Sequence, residues 1–216
     1  MRPRSAIGRS LAPLSRHYGY DRGTPVDRYY IDAFLEAHRA DVRGRVLDIG
    51  DDANARRFAS PALERVDVLY PTEYPGATIV GDLETGEGIP HGVFDCILLV
   101  ETLSVIFDLR RAVRAAHDAL APGGVLLVTA NGLAPKERDW EDYWRLTGSS
   151  MRRLLGEAFE RVEVEAFGNV YTAAAYLYGA AAEELTRTQL DRRDELYEVS
   201  ICARAVRTPT VQPIGS

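Results

Sequence analysis

Cysteine is scarce in this chain: two in 216 residues, Cys96 and Cys202, both inside apolar runs. That argues against a disulfide framework and reads as two buried, reduced thiols. The four histidines show no metal-ligand spacing, so no metal is expected. No apolar run approaches the ~20 residues that span a bilayer, and no membrane partner is expected. Clustered Lys and Arg are missing as well, and the net charge is −6. A nucleic-acid backbone must be met by a basic stripe, so nucleic acid is not expected as a partner either. The basic N-terminus "MRPRSAIGRSLAPLSR" lacks the continuous apolar stretch of a secretory signal. These absences point to a soluble cytoplasmic protein, and a monomer or homodimer is expected.

What is present is ordinary for a globular chain: 46% apolar and 27% charged residues. The length fits one α/β domain with a core of its own. Thr24-Pro25 opens a helical pattern over 25–40, with Val26, Tyr30, Phe34 and Leu35 on one face. Strand and helix signals then alternate. Strands are expected at 45–49, 65–70, 77–80, 94–100, 125–130, 161–167 and 196–206. Helical segments are expected at 55–60, 109–120, 150–159 and 172–185. The unbroken apolar run "FDCILLV" suits a strand buried on both faces of a parallel sheet. The pattern implies a doubly wound, mostly parallel seven-stranded α/β sheet with an antiparallel final strand. One globular domain is expected: residues 1–43 as an N-terminal segment with a lid helix, 44–206 as the ligand-binding α/β domain, and 207–216 as a flexible tail. Residues 1–15 also read as loose.

Ligands of open parallel sheets sit beyond the carboxyl ends of the strands. "VLDIGDDAN" is the mouth of the first strand, with Gly50 supplying the turn. The two further glycines of a nucleotide loop are replaced, and Asp51 and Asp52 would repel phosphate. NAD, FAD and ATP are therefore disfavoured. A ligand with a sugar and a positive charge but no phosphate would tolerate this turn.

The motifs from residue 44 to 130, and more loosely to 165, resemble the class I S-adenosylmethionine-dependent methyltransferases of the small-molecule group. "VLDIGDDAN" stands where that family has D/E-x-G-x-G-x-G, and "GDLE" matches its stretch after strand three. "VFDCILLVETL" matches its fourth strand, and "ALAPGGVLLVT" its L-x-P-G-G segment. The resemblance implies a Rossmann-like fold and S-adenosylmethionine as cofactor. It places Asp48, Gly50 and Asp51 at the cofactor loop. Asp67, 19 residues after Asp48, stands where the family's ribose carboxylate ends strand two. Asp82 would take the adenine amino group and the Leu83 N–H a ring nitrogen. "DRGTPVDRYYI" with "GDD" further resembles a bacterial subgroup associated with sugars and natural products, which draws attention to Asp21, Arg22, Asp27 and Arg28.

Each site residue also has a structural reading. Beside those roles, Asp67 also has a reading as a surface residue of an edge strand, and Asp82 as a turn former. Glu101 and Thr102 end strand four at the same crevice. Glu101 reads as a general base or a loop residue, and His17 as a second candidate base. Tyr18, Tyr143 and Trp144 are aromatic residues placed to cover the crevice, with Tyr20 beside them. Arg145 reads either as a contact to an acidic or hydroxylated substrate or as an ion pair with Asp139 or Glu141. The N-terminal segment with helix 25–40 is expected to form a lid, and "ERDWEDYW" the opposite wall. Methyl transfer needs alignment and a dry site more than an acid–base triad. A hydroxyl on a sugar, nucleoside or natural product is the expected acceptor, with amine and carbon left open. Two alternatives remain: non-methylating small-molecule chemistry on the same fold, and a non-catalytic partner subunit.

Overall fold

A computed structural model describes residues 10–209. The chain enters through helix α1 (Val26–Ala37) and strand β1 (Gly44–Ile49). There follow α2 (Ala53–Arg57), β2 (Leu63–Tyr70), β3 (Ile79–Val80) and β4 (Phe94–Val100). Then come α3 (Leu109–Ala119), β5 (Leu120–Asn131), α4 (Gly148–Leu155) and β6 (Arg161–Phe167). The chain closes with α5 (Val170–Leu177), α6 (Arg187–Asp191) and β7 (Ser200–Val206). The strands form one seven-stranded sheet in the order β3-β2-β1-β4-β5-β7-β6. β1 to β5 pair in parallel, and β7 inserts antiparallel between β5 and β6. The seven-stranded, mostly parallel sheet expected from the sequence is the one observed, a Rossmann-like fold.

Alternation along the strands builds a core on each face of the sheet. Ile97 and Leu99 of β4 pack with Leu47, Leu126, α3 and α4. Cys96 and Leu98 point the other way, to α1, α5 and Leu127. The apolar run of β4 follows from this two-sided burial. Both cysteines are free and buried, as the sequence implies.

Helix α1 is not a lid. Val26, Ile31 and Leu35 are 0% exposed, and the helix packs against β7, α5 and β5. Lifting it would return its apolar face to water at ~1.5–3 kcal/mol per large side chain. The helix expected at 172–185 stops at Leu177 instead. Gly179 turns the chain with φ +74°, and a Cβ there would lie 2.5 Å from the Ser15 carbonyl oxygen. The segment expected to be loose at 1–15 is thus partly tied down: the Leu14 N–H donates to the Tyr178 carbonyl at 2.7 Å. The remainder of that stretch, 1–9, lies outside the described residues, as do 210–216 of the expected tail. Arg207 is paired with the Gly123–Gly124 segment in both directions. Among the described residues, no helix is long and apolar enough to cross a membrane.

Candidate active site

The parallel strands end on one edge, and a cleft of about 440 Å³ opens above them. Strand ends supply its floor: Ile49–Gly50 after β1, Leu69–Pro71 after β2, Val100–Thr102 after β4 and Asn131 after β5. The loop after β3 adds Gly81–Glu84, and the loop after β5 adds Trp140, Asp142 and Arg145. This is the position that the topology of an open α/β sheet assigns to a ligand.

Gly50 has φ +87°, and a Cβ built on it would meet nothing within 4 Å. The turn is therefore required by the backbone angle, and the space above it is free for a ligand. Asp48 lies beneath this turn, fully buried, and takes the Ile49 N–H at 3.0 Å and the Ala55 N–H at 2.9 Å. It ties the turn to α2 and does not line the cleft. Burial pushes its carboxyl up to about 7, against the pull of those two N–H groups. Asp51 is exposed and caps Ala53 at 2.8 Å, also outside the cleft. Gly50→Ala is expected to cost about 1 kcal/mol of stability from its left-handed angle, read by urea unfolding.

Asp82 and Leu83 both line the cleft. One Asp82 oxygen accepts the Glu84 N–H at 2.7 Å, so it is a turn former as well as a lining residue. The Leu83 N–H makes no hydrogen bond among the described residues. With the open Gly50 turn, this leaves an acceptor, a donor and a free volume that fit an adenosyl group.

Asp67 departs from its expected role. In the register of the sheet it pairs with Leu47, three residues before β2 ends at Tyr70. It is 0% exposed and does not line the cleft. Arg45 donates to it at 2.7 Å, Arg65 at 2.6 Å and Thr78 at 3.1 Å. Burial alone would raise this carboxyl, but the three donors together hold it below the ordinary carboxylate range. A carboxylate in an apolar strand needs partners, and two arginines on the same sheet supply them. The strand end carries Tyr70 instead, stacked on Tyr74 at 4.3 Å and met edge-on by Trp140 at 6.0 Å.

Glu101 is the most unusual residue of the site. It adopts φ +56° without being glycine. Its Oε1 accepts the Thr129 hydroxyl at 2.9 Å, while Oε2 is buried with no partner. Burial is the main cause that pushes its carboxyl up to about 8, and the Asp27 charge adds to it. The Thr129 hydrogen bond and the charges of Arg28 and Arg145 oppose the rise. Asp27 itself is buried under Tyr176, whose hydroxyl donates to it at 2.8 Å, and burial raises its carboxyl too. A strained backbone and an unmatched buried carboxyl persist only where the surrounding structure holds them, and such features cluster at functional sites.

The remaining expectations divide. Tyr18, Thr102 and Arg145 line the cleft. Arg145 is an ion pair, but with Asp142, which it grips at 2.8 Å through a second nitrogen, and not with Asp139 or Glu141. Tyr143 and Trp144 do not line the cleft; they turn outward onto Phe107, and the Trp144 indole donates to the Ile106 carbonyl at 3.0 Å. The wall "ERDWEDYW" is there, but Glu137, Trp140 and Asp142 face inward. His17 is exposed and outside the cleft. Asp21 takes the Ser15 hydroxyl and Arg22 pairs with Glu184, so both brace the N-terminal segment. Arg28 holds Asp32 at 2.6 Å and Asn54 at 3.1 Å. Among the described residues no His, Cys, Asp and Glu cluster fits a metal.

Tyr70, Asn131 and Trp140 are lining residues that the sequence reading passed over. The rule that selected Glu101, the last residues of an apolar strand, also reaches Tyr70 and Asn131. Trp140 lies in an irregular loop, where no period points to a face.

Residues 33–128 match the family described as "Methyltransferase domain". None of the curated proteins compared matches the chain. Among solved structures, an S-adenosylmethionine-dependent methyltransferase from Mesorhizobium loti is similar at TM-score 0.55 and 19% identity, covering 81% of this chain and 96% of its own. The phosphoethanolamine N-methyltransferase 2 of Haemonchus contortus, solved with S-adenosylmethionine, gives 0.56 and 14%, covering 84% and 53%. The [4+2]-cyclase SpnF gives 0.55 and 17%, covering 87% and 84%. At these identities the likeness shows the fold. The family match over 33–128 supports methyl transfer as the class of activity and S-adenosylmethionine as the cofactor.

Proposed function

We propose that the protein transfers a methyl group from S-adenosylmethionine to a small-molecule acceptor in this cleft, with Glu101 as the base. The observation that carries the reading is Glu101 itself: a residue of the cleft lining, on a strained strand end, with one carboxyl oxygen buried and without a partner. Asp82 and the Leu83 N–H hold the adenine edge, the open turn at Gly50 admits the chain of the cofactor, and Tyr70 replaces a ribose carboxylate. When bound, the cofactor supplies an electrophilic methyl group on a sulfonium. Tyr18, Tyr70 and Trp140 wall the site with aromatic faces that exclude water and favour a cation. Glu101 takes the proton of the attacking O–H or N–H. Its raised carboxyl suits it to hold that proton near neutral pH. A sugar or natural-product acceptor, as the sequence implies, suits a cleft of this size and aromatic character.

The withdrawal of Asp67 from the cleft favours a second reading, small-molecule chemistry without methyl transfer. Calorimetry and a product assay separate the two. The methyltransferase reading expects S-adenosylhomocysteine to bind one-to-one and acceptor-dependent release of it from S-adenosylmethionine. Binding without release from any acceptor would favour the second reading, and absence of binding would contradict both the cofactor and the activity.

A further inference from the structure

We propose that the cleft takes its acceptor as an amine, held as the ammonium against Glu101 and Asn131, and methylates that nitrogen. The inference rests on the methyltransferase reading and narrows it from any O–H or N–H acceptor to one class.

Two independent observations carry it. The first is the charge of the lining. Asp82, Glu84, Glu101, Glu137 and Asp142 face the cleft, against the single guanidinium of Arg145. That guanidinium is already spent: Asp142 takes it on two oxygens, and the Pro135 and Trp144 carbonyls accept from it at 3.0 and 2.8 Å. No cation of the lining is left to meet a carboxylate or phosphate on the acceptor. The second observation is a matched pair of unmet groups. Glu101 Oε2 and Asn131 Oδ1 are both buried, both without a partner, and both belong to residues of the cleft lining. Asn131 Oδ1 accepts, Glu101 Oε2 accepts once its carboxyl is ionised, and each then needs a donor from elsewhere. A hydroxyl offers one donor and no charge. An ammonium offers three donors and a positive charge, enough to meet both atoms and answer the carboxylate. Trp140 and Tyr70 belong to the same lining, and aromatic rings attract a cation.

The chemistry balances. Glu101, as the carboxylate, removes one N–H proton from the ammonium and becomes the neutral acid. The freed nitrogen lone pair forms the new N–C bond to the methyl carbon. The S–C bond breaks with its electron pair returning to sulfur, which loses its charge as the nitrogen regains one.

Ligand-observed NMR titration of the full chain with benzylamine, benzyl alcohol and benzoate tests the proposal. The three probes share a ring and differ in the head group. It is run with and without saturating S-adenosylhomocysteine. Benzylamine is expected to bind about tenfold or more tighter than benzyl alcohol, with benzoate weakest, in both conditions. Glu101→Gln is expected to bring the amine to within about threefold of the alcohol. Equal or reversed ranking, or no binding by any probe, would overturn the proposal. So would competitive expulsion of benzylamine by S-adenosylhomocysteine, which would give the ammonium site to the cofactor's own amino group. Calorimetry with S-adenosylhomocysteine alone reports separately on the underlying reading. Should that ligand fail to bind, the methyl-transfer reading fails, and the probe ranking still decides the amine site.

Discussion

Glu101→Gln is expected to lower kcat by about 100-fold or more while S-adenosylhomocysteine binding changes little. Glutamine keeps the size of the side chain and its bond to Thr129 but cannot accept a proton. The same carboxyl sets a pH dependence. Because burial and Asp27 push it up to about 8 in the free protein, kcat/KM is expected to rise with pH through that value. The rising limb should vanish in the variant. A bound ammonium opposes the rise in the carboxyl, so the limb in kcat should lie at lower pH than that in kcat/KM. Stability moves in the opposite direction. The folded state holds a proton that the unfolded chain releases from about 4.5 upward. Stability from this group is therefore fullest below that pH and is lost progressively up to about 8. Urea unfolding of the Gln variant should show a shallower fall over this window, by at most about 1.4 kcal/mol per pH unit. An unchanged pH–rate profile and an unchanged stability slope would remove Glu101 from its role.

The second large effect separates the ribose position of the family from what this chain does. Asp67→Ala leaves Arg45 and Arg65 facing an empty buried site. A stability loss of roughly 1–3 kcal/mol is expected: the charged hydrogen bonds of the buried carboxylate are lost, while Arg45 and Arg65, at 30% and 60% exposure, stay solvated. At a temperature where the variant remains folded, its affinity for S-adenosylhomocysteine should match that of the parent. Tyr70→Ala behaves the other way: a partly exposed ring at the strand end is lost, stability changes little, and binding weakens by about tenfold. If Asp67→Ala folds normally and loses the ligand while Tyr70→Ala keeps it, the assignment of the strand end is wrong.

These two residues show what the sequence makes legible and what it does not. β4 and its terminal Glu101 were readable because a run buried on both faces leaves one pattern, and the residue after it must stand at the sheet edge. The antiparallel β6–β7 pair is readable from the connection between the two strands, which carries a helix and then a turn. Asp67 was misplaced because spacing from Asp48 counts residues, not register. Only the pairing of Leu47 with Asp67 reveals that the carboxylate sits inside the strand. The arginines that neutralise it come from β1 and from its own strand, and no local pattern joins Arg45 to Asp67. The apolar face of helix α1 is legible in the sequence, but its covering by β7, far along the chain, is not. Arg145 was readable as an ion pair, while its partner among the neighbouring acids depended on the course of an irregular loop. Tyr143 and Trp144 turned outward for the same reason: a loop has no period from which a face can be read.

The central claim is that the cleft at the carboxyl edge of the sheet holds the methyl donor over Gly50, with Glu101 beside the reacting group. A crystal structure of the complex with S-adenosylhomocysteine tests it most directly. The account expects the adenine at Asp82 and Leu83, the ribose against Tyr70, and the sulfur turned toward Glu101 and Asn131. A ligand bound on another face, or a Glu101 carboxyl directed away from it into bulk solvent, would contradict the account.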